Sequence, residues 1–356
     1  MNRRFPFVPA TLLILTAAGA ARADEVSEKA AAKLLHDKLA TERPEELAIL
    51  KSVAGKNVVV VQGSMDHIEQ VLDASHVRYT LITPEQVAGF DLKGDQIVMV
   101  NCPGVIPDGG VAKIEKFVRA GGLLYTTDWS LLNLVQKAFP RTIAHNGRST
   151  GNEVTAVKVD HHHDDLMSNM LLRKDRDPQW WLEGGSYPIK ILDTKRVETL
   201  ASSPEMKAKY GAAPVVVRFR WDDGEVIHVV SHFYRQLDAK GPAIAAKNAI
   251  DDVSGLTAEQ KASFKASDAG NASMSNVESS YAFQRMTSNL IVGKTRRNDE
   301  LNKTYGWTPK SKVTIEGQQV PAGERLRILK KQGNRIAVRD QRGNEGWVDA
   351  EALQAY

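Results

Sequence analysis

Gly121-Gly122-Leu123-Leu124-Tyr125-Thr126-Thr127-Asp128-Trp129-Ser130 is the stretch that decides the fold. Its apolar centre predicts a buried strand over residues 123–126, and the polar residues after it predict a sharp turn. The next residues, 131–139, have the composition of a helix. A buried strand that turns directly into a helix is typical of α/β proteins with a parallel sheet.

The residues upstream repeat this alternation of strand and helix. Strands are predicted over 58–61, 79–82 and 97–100, and helices over 66–75 and 111–120. Uninterrupted Val, Ile and Leu strands need cover on both faces, so the expected fold is α/β, with a flavodoxin-like parallel sheet between helices. Ligands of such sheets bind at the carboxyl ends of the strands.

Three segments carry a resemblance to a known family: residues 101–104 (Asn-Cys-Pro-Gly), 121–130, and 231–233 (Ser-His-Phe). Their layout resembles the class I glutamine amidotransferase-like domains, and in outline the trehalose-utilisation type, which lacks the standard triad. The resemblance implies a nucleophilic cysteine at the turn after residue 126. Asp128 or a neighbour stands there instead, and an aspartate cannot form the thioester that amidotransfer requires.

Cys102 and His232 are the candidate catalytic residues beside Asp128. Cys102 follows a predicted strand and is either a relocated nucleophile or a small buried apolar residue. The resemblance places the catalytic histidine of an amidotransferase near His232, where Asp128 would orient it or share a proton with it. The alternative for His232 is a hydrogen-bonding role at the end of a strand.

Four further residues are expected to line the same crevice and bind a ligand: Gln62, Ser64, Asn101 and Trp129. A polar crevice with a tryptophan wall suits a small ligand such as a carbohydrate or a peptide.

Asp160-His161-His162-His163-Asp164-Asp165 is the run that most resembles a metal site. Consecutive histidines diverge on a strand or a helix, so His161 or His163 would bind a metal only from a loop, and a solvated loop is the alternative. The sequence contains no dinucleotide or phosphate-binding motif, and we expect no cofactor. Trp180-Trp181 is either a sugar-stacking platform or a buried pair between subdomains.

Residues 1–23 have the features of a signal peptide: Arg3 and Arg4, an apolar run over 7–20, and Ala21-Arg22-Ala23 as a cleavage site. Removing three arginines from the 47 basic residues leaves 44 against 43 acidic ones, so nucleic acid is not an expected partner. We expect a periplasmic or secreted protein without a transmembrane segment. With one cysteine, it has no internal disulfide.

Composition divides the mature chain into units. A helical segment over 24–55, broken near Pro44, precedes an amidotransferase-like α/β domain over 56–295, which carries a mobile insertion at about 237–276. Residues 310–356 contain short strand-like runs separated by turns and resemble a bacterial SH3-like domain, a small all-β barrel in which Trp347 is expected in the core.

Two functions are compatible with these features. The first is a non-catalytic envelope protein that binds a ligand or partner, with the SH3-like unit attaching it to cell-wall peptidoglycan or to an envelope protein. The second is a cell-envelope hydrolase acting on peptide or carbohydrate through Asp128 and His232, or through Cys102. The missing cysteine at the turn favours the first.

Overall fold

The computed structural model describes residues 11–173, 178–232, 240 and 243–356, and within residues 11–24 it describes the backbone only. Residues 1–10 of the predicted signal peptide and parts of the predicted insertion lie outside the described residues. The helices are α1 Thr11–Glu42, α2 Pro44–Ser52, α3 Ile68–Ala74, α4 Asp108–Arg119, α5 Gln136–Ala138, α6 Pro204–Tyr210, α7 Ala246–Ala249, α8 Ala258–Ala266 and α9 Met274–Thr304.

The described residues also form nineteen strands. They are β1 Val58–Val61, β2 Thr80–Ile82, β3 Ile97–Val100, β4 Leu123–Thr127, β5 Ile143–His145, β6 Glu153–Ala156, β7 Lys158–Val159, β8 Gln179–Leu182, β9 Ile189–Ile191, β10 Val197–Ser202, β11 Pro214–Trp221, β12 Gly224–Val229, β13 Trp307–Pro309, β14 Val313–Ile315, β15 Gln318–Val320, β16 Leu326–Gln332, β17 Arg335–Asp340, β18 Glu345–Asp349 and β19 Leu353–Ala355.

The central sheet has eight strands in the order β2-β1-β3-β4-β12-β11-β10-β7. The first five are parallel, with β12 beside β4, and β11, β10 and β7 extend the sheet in antiparallel pairing. All residues of β1, β3 and β4 are buried, as their continuous apolar sequence predicts. The α/β class is therefore confirmed, in the form of a mixed sheet.

Most predicted boundaries lie close to the observed ones, and two differ in kind. The helix predicted over 131–139 begins as a π-helical turn at Leu131–Val135. The last helix of the α/β unit continues to Thr304, past residue 295, where the sequence predicts the end of that domain.

The segment predicted as a mobile insertion packs into the core where it is described. Ala246, Ile250, Val253 and Phe264 are buried there, so the interpretation as an excursion is wrong for these residues. The apolar residues come from several short helices and show no single period, which is why the sequence pattern misses them. Thr257 and Gln260 form a capping box at the start of α8, with both reciprocal hydrogen bonds.

The amino-terminal helix packs on the α/β unit. Leu34, Leu35 and Leu39 of α1 are buried in the main core, and α1 contacts α9. Among the described residues, no helix is long and apolar enough to cross a membrane.

The carboxyl-terminal residues form small antiparallel sheets with a core of their own. A five-stranded sheet in the order β18-β17-β16-β13-β19 lies beside the pair β14-β15. Ile315, Leu326 and Val338 form part of its core, whereas Trp347 is 37% exposed. The prediction that Trp347 is a core residue is therefore wrong. Its side chain lies on the surface near Arg335, whose guanidinium carbon is 5.9 Å from the ring centre.

His228 generates the first testable prediction. It is fully buried on β12, and burial lowers its pKa from 6.5 to about 3. The unfolded chain binds a proton at this residue below pH 6.5, whereas the folded chain stays neutral until about pH 3, so acidification over this window destabilises the fold. Below pH 6, we expect the wild type to lose about 1.4 kcal/mol more per pH unit than His228→Asn.

Urea unfolding at several pH values between 7 and 4 measures this difference. The exposed residue His162 provides the control, since His162→Asn should leave the pH dependence of the wild type unchanged. Parallel stability profiles for the wild type and His228→Asn would contradict the assignment.

Candidate functional site

The candidate site lies at the carboxyl edge of the parallel strands. Cys102 follows β3, Asp128 follows β4, and His232 follows β12. Because these strands are neighbours in the sheet, residues distant in sequence meet at one edge. The ligand atoms of Cys102, Asp128 and His232 lie within 4.8 Å of one another, and all three residues are buried. The structure thus brings together the three predicted catalytic candidates.

Two glycines allow the loop containing Cys102 to pack closely. A Cβ atom at Gly63 would stand 2.2 Å from the Cys102 carbonyl oxygen, and one at Gly104, where φ is +66°, would stand 2.2 Å from Ser130 Oγ. The Ser64 backbone N–H donates to that carbonyl oxygen at 3.2 Å. These contacts fix the position of the thiol relative to β1 and β4.

Asp128 occupies the turn where the resemblance implies a nucleophile. Its φ is +42°, in the left-handed region that few non-glycine residues adopt. The carboxylate accepts hydrogen bonds from the Tyr187 backbone N–H at 2.8 Å and from Ser186 Oγ at 2.9 Å. Both oxygens are therefore engaged with the loop that follows β8.

The charge state of Asp128 follows from its burial. Burial raises its pKa from 3.8 to about 7, and the nearby charge of Glu183 acts in the same direction. The hydrogen bonds from Tyr187 and Ser186 stabilise the ionised form and oppose the shift. Near neutral pH, the protonated and ionised forms are both present.

His232 lies between two carboxyl groups. Its Nδ1 is 2.5 Å from Glu183 Oε2, and its Nε2 is 3.6 Å from Asp128 Oδ2. Burial lowers the pKa of His232 to about 4 and raises that of Glu183. Both shifts favour the neutral forms of the two groups. Glu183 Oε2 thus lies against the Nδ1 side of the His232 ring.

The thiol of Cys102 is poorly suited to nucleophilic attack. Burial raises its pKa well above the ordinary value, and the charge of Asp128 adds to the shift. The Trp129 backbone N–H hydrogen-bonds to the sulfur and acts in the opposite direction. At neutral pH, Cys102 is a buried, protonated thiol.

The four predicted ligand-binding residues are found at the same edge, in different environments. Gln62 and Ser64 are exposed, whereas Asn101 is buried. The Asn101 side chain accepts from the Ile68 backbone N–H at 3.2 Å and donates to Glu69 Oε2 at 2.9 Å, so it holds the start of α3. The structure therefore gives Asn101 a structural role.

Trp129 is partly buried beneath the loop that Asp128 binds. Its Nε1 donates to the Gly185 carbonyl oxygen at 2.9 Å, and its ring stacks on Tyr187 with ring centres 5.6 Å apart. Trp129 and Tyr187 therefore lie side by side at this edge of the sheet.

The fold does not bring His161 and His163 together into a metal site. His161 and His163 are exposed, and Asp164 forms a bidentate ion pair with Arg218 at 3.0 and 2.7 Å. Within the described ranges, the cluster of Cys102, Asp128 and His232 is the one group of three with metal-binding geometry. The solvated-loop interpretation agrees with the exposure of His161 and His163.

Trp180 and Trp181 are both buried, which contradicts a sugar-stacking platform. Trp180 donates to the Val230 carbonyl oxygen at 2.9 Å and stacks on Phe283. Trp181 lies edge-on to His232, with ring centres 6.2 Å apart. The pair is part of the packing that supports the site.

Sequence reasoning missed Glu183, Ser186 and Tyr187. They lie in the loop after β8 and surround Gly184-Gly185, where Gly185 has φ +96°. This turn follows shortly after the apolar Trp180-Trp181 pair. It was the sequence feature that could have indicated a loop at the edge of the sheet. Nothing in the local pattern connects it to Asp128, 58 residues earlier in the chain.

No protein-family model matches the sequence, and no curated protein matches it. Solved structures with a similar arrangement include an exo-β-1,4-mannosidase from an Opitutaceae bacterium, with 13% identity and a TM-score of 0.35, covering 52% of this chain and 32% of that one. The chain therefore spans about a third of the mannosidase.

Two shorter proteins are covered over most of their length. A cytoplasmic protein from Salmonella typhimurium is 10% identical, with a TM-score of 0.36 and coverage of 50% of this chain and 89% of that one. A ThuA-like protein from Bacteroides uniformis is 12% identical, with a TM-score of 0.36 and coverage of 50% and 82%. At such scores, these similarities identify neither a family nor an activity.

Proposed function

We propose that this chain is an exported, non-catalytic protein with an amidotransferase-like α/β unit that binds a ligand at the carboxyl edge of its sheet. The hydrogen bonds that the Asp128 carboxylate accepts are the main support for this proposal. The residue at the nucleophile position is a carboxylate whose two oxygens bind Tyr187 and Ser186, so it anchors a loop. The neighbouring thiol of Cys102 is protonated, which removes the reactive thiolate that glutamine hydrolysis needs.

The layout of the parallel strands supports the flavodoxin-like and amidotransferase-like assignment. The order β2-β1-β3-β4, followed by the parallel strand β12, is the order expected of such a domain. It leaves β1, β3, β4 and β12 with their carboxyl ends together, beside Trp129 and Tyr187. An aromatic wall with polar neighbours suits a small organic ligand.

This proposal predicts that the full chain releases no ammonia from glutamine beyond the rate of Cys102→Ala. The reason is that no thiol stands at the Asp128 turn, and the one cysteine of the chain is protonated and buried. A coupled ammonia assay measures the rate in both proteins. Activity in the wild type that disappears in Cys102→Ala would overturn the non-catalytic assignment.

A cell-envelope hydrolase is the second candidate, and the contact between His232 and Glu183 favours it. A histidine oriented through Nδ1 by a carboxylate is the arrangement of a general base. However, the Nε2 atom that would accept a proton is 3.6 Å from Asp128, longer than a hydrogen bond. The binding role is therefore preferred.

The carboxyl-terminal unit, which we propose to be SH3-like, is fixed to the opposite edge of the central sheet. Arg339 donates to the Arg119 carbonyl oxygen at 2.9 Å and to Asp223 at 3.1 Å, at the turn that begins β12. A Cβ atom at Gly343 would stand 2.1 Å from the Lys116 carbonyl oxygen, so the backbones meet closely. Since these contacts lie at the amino ends of the strands, this unit leaves the candidate site uncovered.

The exposed ring of Trp347 is the proposed contact for attachment to peptidoglycan or an envelope protein. It lies beside Arg335 on a surface that faces away from the unit's own core. An exposed aromatic ring with a neighbouring cation offers both apolar contact and hydrogen bonding to a peptide or a glycan.

Trp347→Ala in the full-length protein should reduce co-sedimentation with purified peptidoglycan by severalfold and leave the melting temperature nearly unchanged. The loss follows from removing a large exposed contact, and the fold survives because the ring is outside the core. Leu329→Ser, which changes another exposed apolar residue of the same unit, is the matched control. Equal sedimentation of wild type and Trp347→Ala, in the presence and absence of envelope extract, would contradict the attachment role.

A further inference from the structure

The site contains a set of potential metal ligands that the proposed binding role does not use. They are the side chains of Cys102, Asp128 and His232. A thiolate, a carboxylate and an imidazole are the three side-chain types that bind zinc, and here each comes from the end of a different strand. Neighbouring strands hold the three backbones in place, so the positions are preorganised.

We infer that Cys102, Asp128 and His232 bind one divalent transition-metal ion, with Zn²⁺ as the preferred ion. This inference rests on the proposed binding role of the carboxyl edge and names the class of ligand. Three protein ligands leave one position of a tetrahedral site open for water or for an oxygen donor of a small molecule.

The distance between two of the ligand atoms fits this assignment. His232 Nε2 and Asp128 Oδ2 are 3.6 Å apart, which is too long for a hydrogen bond. Around a tetrahedral zinc ion with ordinary bond lengths, neighbouring ligand atoms are separated by about 3.3–3.6 Å. Because all three atoms lie within 4.8 Å of one another, small side-chain movements bring the thiol into the same shell.

Each ligand is also held by a second contact. Glu183 lies 2.5 Å from His232 Nδ1, which leaves Nε2 as the metal-binding atom. Carboxylate–histidine–zinc arrangements of this kind fix the tautomer and the orientation of the ring. Tyr187 N–H and Ser186 Oγ hold the carboxylate of Asp128, and the Trp129 backbone N–H reaches the sulfur.

The charges around the site favour a cation. Glu183 and Asp128 are both acidic and partly or fully withdrawn from water, and within the part of the chain that the structure describes neither forms an ion pair with a lysine or an arginine. A bound divalent ion would compensate for the buried carboxylate of Asp128 and the partly buried carboxylate of Glu183 at once.

Cobalt substitution tests the inference directly, because the chain has one cysteine. Titration of the untagged, metal-free, full-length protein with Co²⁺ should give a thiolate-to-cobalt charge-transfer band that saturates at about one equivalent. Such a band can arise only from Cys102. Zn²⁺ should displace the cobalt and abolish the band.

Variants distinguish the residues that bind the metal from the residues that position those ligands. Cys102→Ser should lose the band and bind Zn²⁺ at least tenfold more weakly, whereas Glu183→Gln should keep the band with affinity reduced by about 10–100-fold. The double variant His161→Ala with His163→Ala should retain wild-type affinity and stoichiometry. Circular dichroism shows whether each variant is folded. The cobalt band of the wild type is a test that does not depend on the folding of any variant.

Absence of a band in the wild type would overturn the inference, as would Zn²⁺ binding that survives Cys102→Ser and disappears in the double histidine variant. If Glu183→Gln binds the metal ion with wild-type affinity, then Glu183 does not position His232 for metal binding. These outcomes differ from failure of the proposed function, since cysteine-dependent ammonia release from glutamine would refute the non-catalytic role whether or not cobalt binds.

Discussion

The two hydrogen bonds to the Asp128 carboxylate are the interaction on which the candidate site depends. They tie the loop after β8 to the turn after β4, across 58 residues of sequence. Through that loop, Glu183 reaches His232 and Tyr187 covers Trp129. The carboxylate at the turn after β4 thus organises the site in this protein.

Burial gives this edge its electrostatic character. Burial raises the pKa values of two carboxyl groups and a thiol there and lowers that of His232, so each group is shifted towards its neutral form in the absence of a cation. The same groups, drawn from separate strands, are the donors that a zinc ion requires. At the other edge of the sheet, Arg339 and the Asp222-Asp223 turn fix the carboxyl-terminal unit, which leaves the candidate site uncovered.

Continuous apolar strands made the sheet predictable from sequence. The bounds of β1 and β3 agree with the prediction, and β4 is one residue longer than predicted. Because parallel strands end at one edge, the convergence of Cys102, Asp128 and His232 followed from their positions after those strands. Glu183 could not be placed in the same way, since its loop meets Asp128 through hydrogen bonds that leave no periodic signal. Trp347 was misplaced because successive side chains of a strand point to opposite faces, and the composition of β18 does not show that Val348 takes the buried face and Trp347 the exposed one.

Asp128 holds the loop containing Glu183 and Tyr187 at the sheet edge. Hydrogen exchange of residues 183–187 in Asp128→Ala, compared with the wild type, measures this most directly. A hydrogen bond to a charged group contributes about 1.5–3 kcal/mol, so we expect the Tyr187 amide to exchange about 10–100-fold faster in the variant, while the amides of β1 and β3 stay protected. Unchanged protection of Tyr187 in Asp128→Ala would contradict the account.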